Sequence, residues 1–139
     1  MIETTRFGLD TQGDGQVIDI SDEVCRRVAS SGIAEGIVTV YVTGTTAGIA
    51  VIEYEPGLVL DLSAAMERLY PREMEYQHNV LNNDDNGHSH TRATMVGPSV
   101  VVPVKDRKPL TGTWQRFVLI DFDSRPRSRD LVVQVMGEA

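Results

Sequence analysis

A chain of 139 residues with 41% hydrophobic content is long enough to bury a sizeable core, and residues 1–139 read as one compact domain. The formal net charge of -7 excludes broad nucleic-acid binding, which depends on a basic surface meeting phosphates. No apolar run is long enough to span a bilayer and no basic-then-apolar leader opens the chain, so no membrane association is expected. The single cysteine, Cys25, cannot form an internal disulfide; with no leader, that predicts a reducing, cytoplasmic setting.

Residues 3–9 and 16–20 read as strands around a tight TQGDG hairpin. Ser21 then suits an N-cap, followed by Asp22 and Glu23 where the helix dipole favours acids. That helix would turn Val24, Cys25 and Val28 inward and stop at Gly32. The β-branched run 36–43 predicts a buried strand, with 49–54 returning beside it after the turn Gly44-Thr45-Thr46-Ala47-Gly48. Pro56 opens a second helix carrying Leu58, Leu62, Ala65, Met66 and Leu69 at helical spacing, and Pro71 ends it. Residues 90–97, 99–104, 114–123 and 129–137 complete the strands, with Pro103 marking an edge or a bulge. The expected fold class is α+β: an antiparallel or mixed β-sandwich with two helices.

All three histidines, His78, His88 and His90, fall in YQHNVLNNDDNGHSH. On a strand His88 and His90 would share a face, and neutral imidazole is a common zinc ligand. The three are therefore candidate metal ligands and catalytic groups, zinc being favoured over magnesium or manganese; the plain alternative is a solvated polar loop. Glu53 ends an apolar strand and is a candidate catalytic carboxylate, against the simpler reading of a solvent-facing strand end. Thr45 and Thr46 could join backbone N–H groups in an anion nest, or belong to an ordinary turn. Trp114 and Gln115 suit stacking on a flat heterocycle and bonding its edge, although the lone tryptophan could equally anchor a core or a subunit contact. Arg125, Arg127 and Arg129 form a local basic field in an acidic chain, and their forks match phosphate oxygens; a solubilising loop is the commoner role.

The segments TTAGIAVIEYEPGLVLDL, YQHNVLNNDDNGHSH, MVGPSVVVPV, GTWQRFVLIDFDSRPR and VVQVMG, in that order, resemble the YjbQ family, also labelled secondary thiamine-phosphate synthase enzymes. The resemblance implies a homotrimeric α+β sandwich with sites near subunit boundaries, built on Glu53, His78, Asn86, His88, His90, Trp114 and Gln115. It also implies a weak thiamine-phosphate synthase activity, joining a pyrimidine pyrophosphate to a thiazole phosphate. Two positions depart from the family pattern: Gly44 stands where many relatives carry histidine, and Ile52 where they often carry asparagine.

Two functional expectations follow. The first is a metal-dependent enzyme acting on a small phosphorylated heterocycle, with Thr45, Thr46, Asn86, Trp114, Gln115, Arg125 and Arg129 binding substrate. The second is a non-catalytic trimeric metal- or anion-binding protein in which the histidine loop is structural.

Overall fold

The computed structural model describes residues 1–139. In chain order the elements are β1 (Ile2–Thr11), β2 (Gln16–Asp19), α1 (Ser21–Ser30), β3 (Glu35–Val42), β4 (Ala47–Glu53), α2 (Pro56–Leu69), α3 (Gln77–Asn82), α4 (Gly87–Val96), β5 (Ser99–Lys105), β6 (Lys108–Pro109), β7 (Gln115–Asp121) and β8 (Arg127–Glu138). The fold is α+β. One sheet has the order β1-β8-β3-β5-β6, the other β2-β7-β4, and every neighbouring pair is antiparallel. Four helices stand where two were expected, and none is long and apolar enough to cross a membrane.

Both sheets contribute to one core. Val38, Val40, Val42, Leu131, Val133 and Val135 from the five-stranded sheet meet Ile49, Phe117 and Leu119 from the three-stranded sheet, and α1 adds Val24 and Val28. Period-two alternation explains this face on β8, where Leu131, Val133 and Val135 are buried and their neighbours are not. A smaller cluster of Ala93, Val118, Ile120 and Phe122 lies on the other face of the three-stranded sheet, beneath α2 and α4.

Several local expectations are corrected. The TQGDG turn does not close a hairpin, because β1 pairs with β8 and β2 with β7. Its residues do form a tight turn, with Gly13, Asp14 and Gly15 all at positive φ. A Cβ on Gly13 would sit 2.5 Å from the Asp123 carbonyl oxygen, so only glycine lets the turn pack there and hand the chain to the second sheet. Likewise β3 and β4 lie in different sheets, and the Gly44–Gly48 segment crosses between them. Ser21 does not cap α1: its Oγ accepts a 2.7 Å hydrogen bond from the Phe117 N–H, tying the helix to β7. Cys25 is exposed, whereas Val24 and Val28 are fully buried. Pro103 lies on a strand that is an edge over most of its length, since β6 covers only Val104 and Lys105. Residues 90–97, expected as a strand, belong mostly to α4.

Candidate functional site

The histidine segment folds as a short helical hairpin, α3 then α4, reversed by Asn83 in the left-handed conformation. Asparagines hold it. The Gly87 N–H donates 2.9 Å to Asn79 Oδ1, and Asn86 Oδ1 lies 3.1 Å from His78 Nε2. Asp84 Oδ2 stands 3.5 Å from the same nitrogen.

Helical geometry changes the meaning of His-x-His. Residues two apart on a helix diverge by about 200°, so His88 and His90 point to opposite sides, which corrects the expectation that they share a face. His90 turns toward α3, where its ring centroid lies 4.4 Å from that of His78. His88 turns inward against Tyr76, is 2% exposed, and leaves Nδ1 without a hydrogen-bond partner. The three rings therefore do not meet at one point, and no group of three or more His, Cys, Asp or Glu side chains is arranged to hold an ion. Burial holds both His88 and His90 below the usual imidazole range. Arg92 and Arg72 push His88 the same way; His78 does so for His90, while the Thr45 backbone carbonyl and the charges of Asp123 and Asp84 pull His90 back up.

His90 faces a polar cleft of about 490 Å3 at one end of both sheets. The turn residues Gly44, Thr45 and Thr46 form one wall, Asp84 and Asn86 another, and Arg127 and Arg129 on β8 a third. Arg129, far from lying in an exposed turn, is only 7% exposed. Its Nε and Nη2 grip Asp121 at 2.6 and 2.9 Å, and Nη2 also donates 2.7 Å to Thr46 Oγ1. The remaining nitrogen, Nη1, makes no hydrogen bond within the chain and lies beside Gly44, 2.9 Å from where a Cβ would be. Asp123 accepts from Thr46 Oγ1 at 2.9 Å and from Arg127 Nε at 2.8 Å. For both Asp121 and Asp123 burial alone pushes the carboxyl pKa up, but the arginine, threonine and backbone donors outweigh it and hold each below the usual range.

The expected substrate residues divide accordingly. Thr45 is exposed at the rim of the cleft, whereas the hydroxyl of Thr46 is already committed to Asp123 and Arg129, so Thr46 positions the guanidinium. Asn86, 4% exposed, orients His78. Arg125 is largely exposed and makes only long ion pairs of 4.0 and 3.6 Å to Asp84 and Asp85. Asp84, Asp121, Asp123 and Ser128 were not expected. The Arg-x-Arg spacing on β8 puts Arg127 and Arg129 on one face, because residues two apart on a strand share it, but no local pattern marks the three acids.

Glu53, Trp114 and Gln115 stand elsewhere. Thr46 precedes β4 and Glu53 ends it, so seven residue rises, roughly 23 Å, separate the cleft from Glu53. Glu53 is exposed opposite Gln115, whose Oε1 accepts 2.7 Å from the Gly112 N–H. Trp114 is 72% exposed and borders a separate polar depression with Asp19, Tyr54 and Arg116. Within one chain they do not join the histidines.

The sequence matches, over residues 5–138, the family described as UPF0047 protein YjbQ-like. The chain belongs to that family. A UPF0047 relative from Archaeoglobus fulgidus is 41% identical over 121 residues, covering 87% of this chain and 91% of the relative. Another from Methanocaldococcus jannaschii is 31% identical over 134 residues, covering 96% and 94%. Among solved structures, a protein of unknown function from Sulfolobus solfataricus, described as YbjQ-like, superposes with a TM-score of 0.89 at 31% identity, covering 99% of this chain and 100% of that one. A hypothetical protein from Aeropyrum pernix gives 0.90 at 34%, covering 98% and 99%. Both solved structures share this fold over nearly the whole chain.

Proposed function

We propose that the cleft binds the phosphoryl group of a small phosphorylated heterocycle and that the protein is a transferase of the thiamine-phosphate synthase type its family resemblance implies. The observation that carries this reading is Arg129: a buried guanidinium, fixed by Asp121 and Thr46, with one nitrogen left for an acceptor in the cleft. Fixed cationic donors aimed at a departing pyrophosphate stabilise the charge that grows in the transition state without reorganising during the reaction. Arg127 adds a second guanidinium, and Thr45 offers a hydroxyl at the rim. His78 and His90 are the proton carriers; Asn86 accepts from His78 Nε2, and His90 packs on the Thr45 carbonyl. Formation of thiamine phosphate from the pyrimidine pyrophosphate and thiazole phosphate tests the reading. Alanine at His78 or His90 should abolish turnover with the fold intact; undiminished turnover in both variants rejects it.

A second reading adds a divalent ion. The two guanidinium groups of the cleft, Arg127 and Arg129, are already matched by the carboxylates of Asp123 and Asp121, and Asp84 faces Arg125. A phosphate dianion needs further positive charge there, and the adjacent imidazoles of His78 and His90 are two of the donors an ion would require. The three-histidine set does not fit; a two-histidine set completed by substrate or water oxygens does, with zinc favoured over magnesium or manganese. Near-stoichiometric metal in protein purified without a histidine tag would support the ion, and its retention in a His90→Ala variant would refute this placement.

Assembly as a homotrimer, with the two sheets packed as a sandwich in each subunit, completes the reading. Exposed Leu60, Leu69, Val80 and Leu81 on α2 and α3 supply apolar surface for such contacts. A trimer could bring Trp114, Gln115 and Glu53 of one subunit toward the cleft of another. Light scattering on the purified protein tests the stoichiometry. Should the protein bind anions without turnover, the histidine loop is structural and the protein a trimeric anion-binding module. Its exposed thiol suits a reducing, cytoplasmic compartment.

A further inference from the structure

A second cavity, of about 90 Å3, lies between α2 and the outer face of the three-stranded sheet, and the proposed reaction does not use it. Its walls are apolar: Val17, Ala50, Ile52 and Ile120 from the sheet side, Leu62 and Met66 from α2. Protein interiors normally close such gaps, since atoms facing a void forfeit their dispersion contacts. Here α2 leaves the gap open, and none of its residues is fully buried.

One charged side chain lines the cavity. Arg92 is 9% exposed; its Nε and Nη2 donate to the Tyr70 carbonyl at 3.0 and 2.8 Å, and Nη2 also meets Glu67 Oε2 at 2.8 Å. Its Nη1 makes no hydrogen bond within the chain. Solvent still reaches Nη1, so a ligand oxygen would take the place of water there and add a charge-assisted bond. Glu67 is 56% exposed and can yield to a competing carboxylate. Arg92 follows His90 by two residues on α4, so the two side chains leave the helix on opposite sides and this cavity is distinct from the cleft.

We propose that this cavity binds a small carboxylic acid with a branched body of about four carbons, its carboxylate accepting from Arg92 Nη1. Size sets the body: an apolar cavity of roughly 150 Å3 holds a benzene ring, so the smaller space here takes a short branched alkyl group. Charge sets the head, because Arg92 is the only charged residue in the lining.

Titration of the full-length protein with isovalerate, followed by methyl NMR and calorimetry, tests this. Expected are saturable shifts of the Ile52, Ile120 and Met66 methyls with a dissociation constant on the order of 1 mM, and weaker binding of isoamyl alcohol. Arg92→Gln should weaken isovalerate by about tenfold, the loss of one charge-assisted hydrogen bond. Ala50→Leu should fill the space, abolish binding and raise Tm. Three results would each overturn the proposal: no methyl shifts at roughly twenty times the expected constant, equal binding of the alcohol, or an Ala50→Leu variant that binds isovalerate as well as the native chain.

Discussion

Replacing Arg129 with methionine removes the guanidinium but keeps most of the side-chain volume. Asp121 is 0% exposed, and it would lose both charge-assisted bonds, at 2.6 and 2.9 Å, while retaining only Thr11 Oγ1 at 2.6 Å and the Asp123 N–H at 3.0 Å. An uncompensated buried carboxylate costs about 3–5 kcal/mol. For a domain of this size that corresponds to a fall in Tm of roughly 10–15 °C. Asp121→Leu should cost an amount nearer the low end of that range, since Arg129 still has Thr46 and lies 3.9 Å from Asp123 Oδ2. The double variant should recover much of the loss, to within about 2 kcal/mol of the native chain, because a buried ion pair replaced by apolar groups of similar volume is often neutral. The assay is urea denaturation of all four proteins at neutral pH and one fixed protein concentration, since self-association makes apparent stability concentration-dependent. A coupling energy of at least about 2 kcal/mol is expected. Additive single losses below about 1 kcal/mol each would show that the pair is not a buried electrostatic unit.

Three further outcomes follow from the same geometry. Asp121 and Asp123 have carboxyl pKa values held below the unfolded range, so the unfolded chain binds more protons in acid. Their stabilisation is fully present above about pH 4 and is lost as pH falls through the folded values; Asp121→Asn should flatten the acid limb of a Tm-versus-pH profile, and an unchanged limb would contradict the shift. Gly44→Ala should lower inorganic phosphate affinity and cost about 1–2 kcal/mol, because Gly44 has φ +117° and its Cβ would meet Arg129 Nη1 at 2.9 Å; calorimetry and denaturation check both effects. His88→Leu removes a ring whose Nδ1 has no partner, so it should leave turnover intact and stability within about 1 kcal/mol, whereas His90→Leu should abolish turnover; equal losses of turnover would return His88 to the site.

The strands were legible because their signal is short-range. Val, Ile and Tyr runs such as 36–43 and 129–137 satisfy both β propensity and the alternation of a half-buried sheet, and each falls on an observed strand. Pro56 and the spacing through Leu69 located α2, which Glu55 caps by accepting from the Gly57 and Leu58 N–H groups. Strand partnership was not legible. The glycines around Asp14 fit a hairpin as well as a crossover, and only the close packing of Gly13 on Asp123 decides between them. The largest departure from expectation is α4, whose Thr91, Thr94 and Val96 carry β propensity while no side chain caps its start at Asn86–Gly87. That single change of period moved His88 out of the site and left His90 in it. Thr45, Asn86 and Arg129 carry the expected chemistry and do line the cleft, but Asp121, which fixes Arg129, is hidden in an apolar strand, where nothing local marks a buried acid.

The most direct measurement is a histidine-selective NMR titration with inorganic phosphate at fixed pH. If one cleft joins His78, His90 and Arg129, both of those imidazoles shift in a saturable way while His88 stays still, and Arg129→Lys suppresses the response. A phosphate-induced shift at His88 equal to that at His90, or a response untouched by Arg129→Lys, would contradict the placement on which the functional reading rests.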